Sequence, residues 1–105
     1  MATAVSGFIT VATAGTAVAG PASGPGTFQL IANPANTGTY MYIGDDGAGD
    51  VAAGNGFPLS KTLGNQAVVV VGPGGLAEYM FDSDTNNDDV IYLRIAGEGD
   101  GVPAV

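Results

Sequence analysis

Gln66-Ala67-Val68-Val69-Val70-Val71-Gly72-Pro73-Gly74-Gly75-Leu76-Ala77 is the stretch on which the fold turns. Its first half is the most β-prone run in the chain, because branched side chains fit a pleated, extended backbone. Four consecutive valines put apolar groups on both faces of one strand. Such a run is either fully buried or pairs with another chain; left bare, it aggregates. The second half fits G-x-G-x-x-G/A, the fingerprint of a dinucleotide-binding βαβ unit. That reading needs a helix directly after the glycines, with its N-terminus on the pyrophosphate. Here the chain continues Leu76-Ala77-Glu78-Tyr79-Met80-Phe81-Asp82 and breaks at once into Ser, Asp, Thr and Asn. No further βαβ unit follows. The glycines therefore read as a turn, and the α/β alternative falls with the helix it required.

Outward from this stretch the same pattern recurs. Residues 7–13, GFITVAT, read as a strand with Phe8, Thr10 and Ala12 on one face and Ile9, Val11 and Thr13 on the other. Both sets carry apolar groups, as expected of a strand covered on both sides. Gly15 marks a turn, and Thr16–Val18 reads as a short return strand. Residues 20–26, GPASGPG, form a connector. TFQLIAN (27–33) and TYMYIG (39–44) are strands separated by Asn33-Pro34-Ala35-Asn36-Thr37-Gly38, a turn signature. Residues 44–56 form a long polar loop. Phe57-Pro58-Leu59 returns to the core, and another turn runs through 61–65. LAEYMFD (76–82) and DVIYLRIA (89–96) read as a final strand pair joined by SDTNND, and the tail from 97 is irregular. No segment has a helical start, period and stop. The fold class is all-β, a small β-sandwich or jelly-roll-like barrel of about seven to eight strands. Residues 1–26 divide off as an N-terminal strand or arm with its Gly/Pro-rich connector, and 27–105 as the β-sandwich body, in one domain overall.

Composition limits the chemistry. The 105 residues include no His, Cys or Trp, and only two cations, Lys61 and Arg94, against ten acids and 18 glycines. Without Cys there is neither a disulfide nor a thiolate metal site. A net charge of −8 does not suit a phosphate backbone or an anionic lipid surface. Neither nucleic acid nor membrane is expected as a partner. The N-terminal MATAVSGFITVATAGTAVAG ends in a cleavage-like Ala17-Val18-Ala19-Gly20. It lacks a basic leading region and is interrupted by Thr and Gly, so no signal peptide is expected. No stretch of about 20 predominantly apolar residues offers a membrane span.

Two acidic features bear on metal or catalytic chemistry. Asp82, Asp84, Asn86 and Asp88 mimic the start of an EF-hand loop. Position six is Asn87 where the sharp turn needs Gly, and position twelve is Leu93 where a bidentate Glu is needed. An EF-hand is excluded, leaving Asp82, Asp84 and Asp88 as candidates for a looser surface cation site. Asp45-Asp46 with Asp50 has no catalytic residue type beside it and reads as an acidic loop. No cofactor is expected and no catalytic residue is assigned. Tyr40, Tyr42 and Tyr92 have the apolar body and polar tip enriched at protein contacts. With Arg94 and the apolar Phe8, Ile9 and Val11 they form the candidate partner interface.

Four segments in order carry a resemblance. They are Thr10-Val11-Ala12-Thr13-Ala14-Gly15-Thr16-Ala17-Val18; Ala32-Asn33-Pro34-Ala35-Asn36-Thr37-Gly38-Thr39-Tyr40-Met41-Tyr42-Ile43-Gly44; Asn55-Gly56-Phe57-Pro58-Leu59; and Glu78 through Asp82 with Asp89-Val90-Ile91-Tyr92-Leu93-Arg94-Ile95. Together they resemble small virion proteins of tailed bacteriophages, of the capsid decoration (cement) type. The connector at 20–26 and the glycine-rich 72–75 depart from that pattern. The resemblance implies a non-enzymatic structural protein on the outer surface of the virion capsid. It would bridge subunits of the phage major capsid protein as a homo-oligomer such as a trimer. It transfers no catalytic residue, and it implies that 82–89 is simply the turn between the last two strands. The alternative reading is a tail or head-fibre module contacting the host surface.

Overall fold

The computed structural model describes residues 6–45, 50–52, 54–62 and 66–97. Eight strands appear in them: β1 (Ser6–Val11), β2 (Val18–Ala19), β3 (Gly26–Ala32), β4 (Tyr40–Gly44), β5 (Phe57–Ser60), β6 (Ala67–Val71), β7 (Met80–Ser83) and β8 (Asp88–Gly97). They form two four-stranded sheets, β1-β8-β3-β6 and β2-β7-β4-β5. Every pairing is antiparallel. β1 pairs with β8, β2 with β7, β3 with β6 and β4 with β5, while β3–β8 and β4–β7 join these ribbons into sheets. This nested pairing is that of one long double-stranded ribbon rolled upon itself, the jelly-roll arrangement of a β-sandwich.

The core lies between the sheets. Val11, Phe28, Leu30, Met41, Leu59, Leu76, Phe81 and Val90 are fully enclosed. Period-two alternation puts them there: Phe28, Leu30 and Ala32 point inward from β3, and Val90 and Tyr92 from β8. Phe28 and Tyr92 meet edge to face, with ring centroids 6.2 Å apart. β8 carries one extra residue opposite Thr27 and Phe28, a bulge at Ile95.

Three local expectations change. β1 is covered on one face only: Ile9 and Val11 are buried, whereas Phe8 and Thr10 are exposed. β7 and β8 are not a hairpin. β7 pairs with β2 and β4, β8 with β1 and β3, so residues 84–87 carry the chain from one sheet to the other. The segment before β7 begins as a single 3-10 turn, Gly75–Glu78, rather than as strand. Gly75 sits at φ +66, and a Cβ there would come within 2.7 Å of Gly24 and the Ser23 hydroxyl. The Leu76 N–H is taken by the buried Ser23 Oγ at 2.9 Å, which bends the chain away from the sheet.

Residues 6–26 are built into the sandwich. β1 and β2 each add a strand, one to each sheet, and the connector docks on the core through Ser23. Arg94 Nη2 donates to the Ser23 carbonyl, and the Arg94 guanidinium lies 5.3 Å from the centroid of the Phe28 ring. The cation is thereby buried with a hydrogen bond and an aromatic face as partners.

Candidate functional site

The acidic candidates are held apart by separate structural tasks. Asp82 is fully buried; its Oδ1 accepts from the N–H groups of Gly15 at 2.9 Å and Ser83 at 2.7 Å. Asp84 accepts from the Tyr42 hydroxyl at 2.9 Å. Asp88, also buried, accepts from the N–H of Thr37 at 2.9 Å and of Gly38 at 2.8 Å. Among the described residues no group of three acids converges as a metal site would need. Asp46 lies outside the described residues; Asp45 and Asp50 are exposed.

Asp88 and its neighbours form a clasp between the sheets. Asn36 Nδ2 donates to the Asp89 carbonyl and Asn36 Oδ1 accepts from the Asp89 N–H, while the Asn33 N–H donates to the same carbonyl. The turn that launches β4 in one sheet is thus fastened to the start of β8 in the other. A carboxylate receiving two backbone N–H groups makes charge-assisted bonds, each worth about 1.5–3 kcal/mol. Asp88→Ala is expected to lower unfolding stability by about 3 kcal/mol, and Asp88→Asn, which keeps one acceptor oxygen, by about half that. Urea unfolding midpoints measure both. Equal midpoints for wild type and Asp88→Ala would refute the clasp.

Burial raises the Tyr42 phenol above its ordinary value, and the hydrogen bond to Asp84 and the charge of that carboxylate add to the rise. Tyr42 therefore stays protonated wherever an ordinary tyrosine does and serves as a fixed donor.

The candidate interface residues divide by burial. Ile9, Val11 and Tyr92 belong to the chain's own core, Arg94 holds the connector, and Tyr42 is buried against Asp84. Phe8 and Tyr40 remain at the surface, 62% and 42% exposed. Further exposed apolar groups escape a reading by residue type. Leu93 and Ile95 on β8 and Val68 on β6 share with Phe8 the outer face of the β1-β8-β3-β6 sheet. The registers Phe8↔Ile91↔Ile31 and Ser6↔Leu93↔Gln29↔Val68 set Phe8, Leu93 and Val68 in two rows, one across three strands and one across all four. Among the described residues, Asp89 at the rim, bonded to Thr10, is the one charged side chain those rows border. The signal for this face was the apolar content of both registers of residues 89–96.

A second apolar feature is a groove of about 420 Å³ beside β6, lined by Ile43, Phe57, Ala67, Val69 and Tyr79 among others. No helix among the described residues is long and apolar enough to cross a membrane.

The chain is similar in part to curated arginine repressors from two strains of Bacteroides fragilis, 34% identical over 59 residues. The aligned stretch covers 56% of this chain and 38% of each repressor, so the chain spans well under half the length of the curated relatives it matches. No protein-family model matches the chain, and no solved structure matches it.

Proposed function

We propose that the chain is a non-enzymatic virion protein that decorates an assembled phage capsid and stabilises it by bridging major capsid protein subunits. The observation that carries this reading is the outer face of the β1-β8-β3-β6 sheet. Phe8 and Val68 are each 62% exposed, Leu93 and Ile95 each 49% exposed, and half-buried Ile31 and Ile91 lie between them. Six apolar side chains on one sheet face, with Ser6 and Gln29 the polar members of their rows, support a docking role for it. The described acids lie outside those rows, with Asp89 at their rim, so docking through this face leaves the exposed Asp45, Asp50, Glu78 and Asp84 uncovered, as suits the outside of a particle. The partial similarity to arginine repressors does not carry a nucleic-acid role to this chain. Arg94 is buried, which leaves Lys61 as the one cation within reach of a phosphate.

On a lattice of identical capsomers each contact can be weak. Many copies, each spanning two subunits, sum through multivalency and raise the cost of separating capsomers under internal pressure. The test is co-sedimentation of the purified chain with expanded, undecorated capsids of its own phage. Saturable binding at a fixed ratio per capsomer is expected. Leu93→Lys, on an exposed position, is expected to weaken it at least about tenfold without lowering the melting temperature. No binding at any maturation stage would retire the reading in favour of a tail or fibre module.

A further inference from the structure

Of the four sheet edges, β1 and β6 both lack proline and charge, and of these two β6 is the one that lines the groove. In the β2-β7-β4-β5 sheet, one edge strand has two residues and the other carries Pro58, both of which discourage further pairing. β6, an edge of the opposite sheet, has five residues, Ala67-Val68-Val69-Val70-Val71, with neither a proline nor a charge. Among the described residues its one strand partner is β3. Its other side presents backbone N–H and C=O groups in strand geometry.

The groove lies beside that edge and is walled from both sheets, by Ala67 and Val69 of β6 and by Ile43 and Phe57 of β4 and β5. Phe57 is the telling residue. It is paired with Ile43, and paired residues of antiparallel strands share a face. Ile43 is a core residue at 5% exposure, yet Phe57 on the same inward face is 55% exposed. The sandwich does not close over its own inner layer here. An edge with one side unpaired among the described residues, combined with a side-chain pocket, is the pair of features that strand addition uses: the backbone supplies affinity and the pocket selects alternate side chains.

We propose that β6 and this groove accept an extended peptide strand with apolar side chains at alternate positions and no acidic ones. The edge dictates an extended backbone. The walls dictate apolar groups, one of which covers Phe57. Charge dictates the rest, because Asp45 lines the groove, no Lys or Arg does, and the chain carries −8. A second copy presenting its own β6 through a two-fold axis does not meet these terms. Its inward valines are already committed to its own sheet, so edge-to-edge pairing leaves both grooves empty. The site stands independently of the capsid reading, which rests on the outer sheet face.

The test uses the isotope-labelled full chain and a short synthetic peptide of alternating valine and threonine with lysine at each end. The control is the same peptide N-methylated at alternate amides, which removes the donors along one edge. Saturable chemical-shift changes confined to residues 66–69, 43–45, Phe57 and Tyr79 are expected, with the methylated peptide at least about tenfold weaker. Phe57→Ser, at an exposed position, is expected to weaken uptake by a similar factor while the remaining spectrum is unchanged. Equal binding of the methylated peptide, changes centred on the outer sheet face, or no change up to about millimolar peptide would overturn the proposal. Peptide uptake without capsid binding would retire the capsid reading alone; capsid binding without uptake would retire this one alone.

Discussion

Deleting residues 1–19 is expected to unfold the protein rather than to release a folded domain lacking an arm. The deletion removes β1 and β2 together. β1 supplies Ile9 and Val11 to the core and flanks β8 along six residue pairs, Ser6↔Leu93 through Val11↔Asp88. Burying an aliphatic side chain stabilises by about 1.5–3 kcal/mol, so these two alone account for a large part of the roughly 5–15 kcal/mol of a small domain. The loss does not end there. Asp82 keeps its buried carboxylate but loses the Gly15 N–H, and the Asn87 N–H loses the Val11 carbonyl it meets at 2.8 Å. A buried charge stripped of donors is costly. Loss of the far-ultraviolet β signal and of cooperative melting checks the expectation. A truncated chain that still melts cooperatively would make 1–19 an arm after all.

Phe28→Ala is expected to destabilise by about 3–5 kcal/mol, as for other large-to-small changes in a closed core. Phe28 is central to three separate arrangements. It is fully buried, it meets Tyr92 edge to face, and its ring lies against the Arg94 guanidinium. Truncation opens a cavity and removes the surface on which a buried cation rests. The effect should therefore travel to the connector, which Arg94 holds through the Ser23 carbonyl and which in turn holds the Leu76 N–H. Amide exchange at Leu76 should quicken in Phe28→Ala beyond what the global destabilisation accounts for. Phe28→Leu, which retains most of the volume, should cost less than half as much and leave the Leu76 amide protected. Equal exchange at Leu76 in the two variants, once corrected for stability, would sever the proposed link.

Strand identity was legible because β-prone runs are local: alternation in TFQLIA shows its inward Phe28, Leu30 and Ala32, whereas both registers of DVIYLRIA are apolar and the one with Leu93 and Ile95 faces outward. Strand partnership was not. A short polar link between two strands looks the same whether they pair or part, and residues 84–87 part them because β1 and β3 already flank β8. Leu76 through Tyr79 has strand composition but bends, since a hydroxyl from residue 23 takes its first N–H. Residue type located Phe8 and Tyr40 at the surface. It could not separate them from Ile9, Val11 and Tyr92, whose burial depends on which face of the strand meets the second sheet. Phe57 was read as a returning core residue. Its exposure follows from an edge geometry that no local pattern encodes. The acids at 82, 84 and 88 were visible as a cluster, but their partners at 15, 42, 37 and 38 come from three other parts of the chain.

The nested pairing also orders the folding reaction. Tyr40 meets Ser60, Gly26 meets Val71, Val18 meets Phe81 and Ser6 meets Leu93, so each ribbon encloses the one before. Formed first, the outermost pair would close nearly the whole chain as one loop; formed last, it closes only a short remainder. Loop-closure entropy therefore favours assembly from β4–β5 outward, with β1–β8 as the seal. A topology with so few sequence-local contacts folds slowly, and breathing begins at the seal rather than at the centre. The groove between β5 and β6 is walled by the earliest ribbons. It stands ready while the two ends of the described chain are still finding each other.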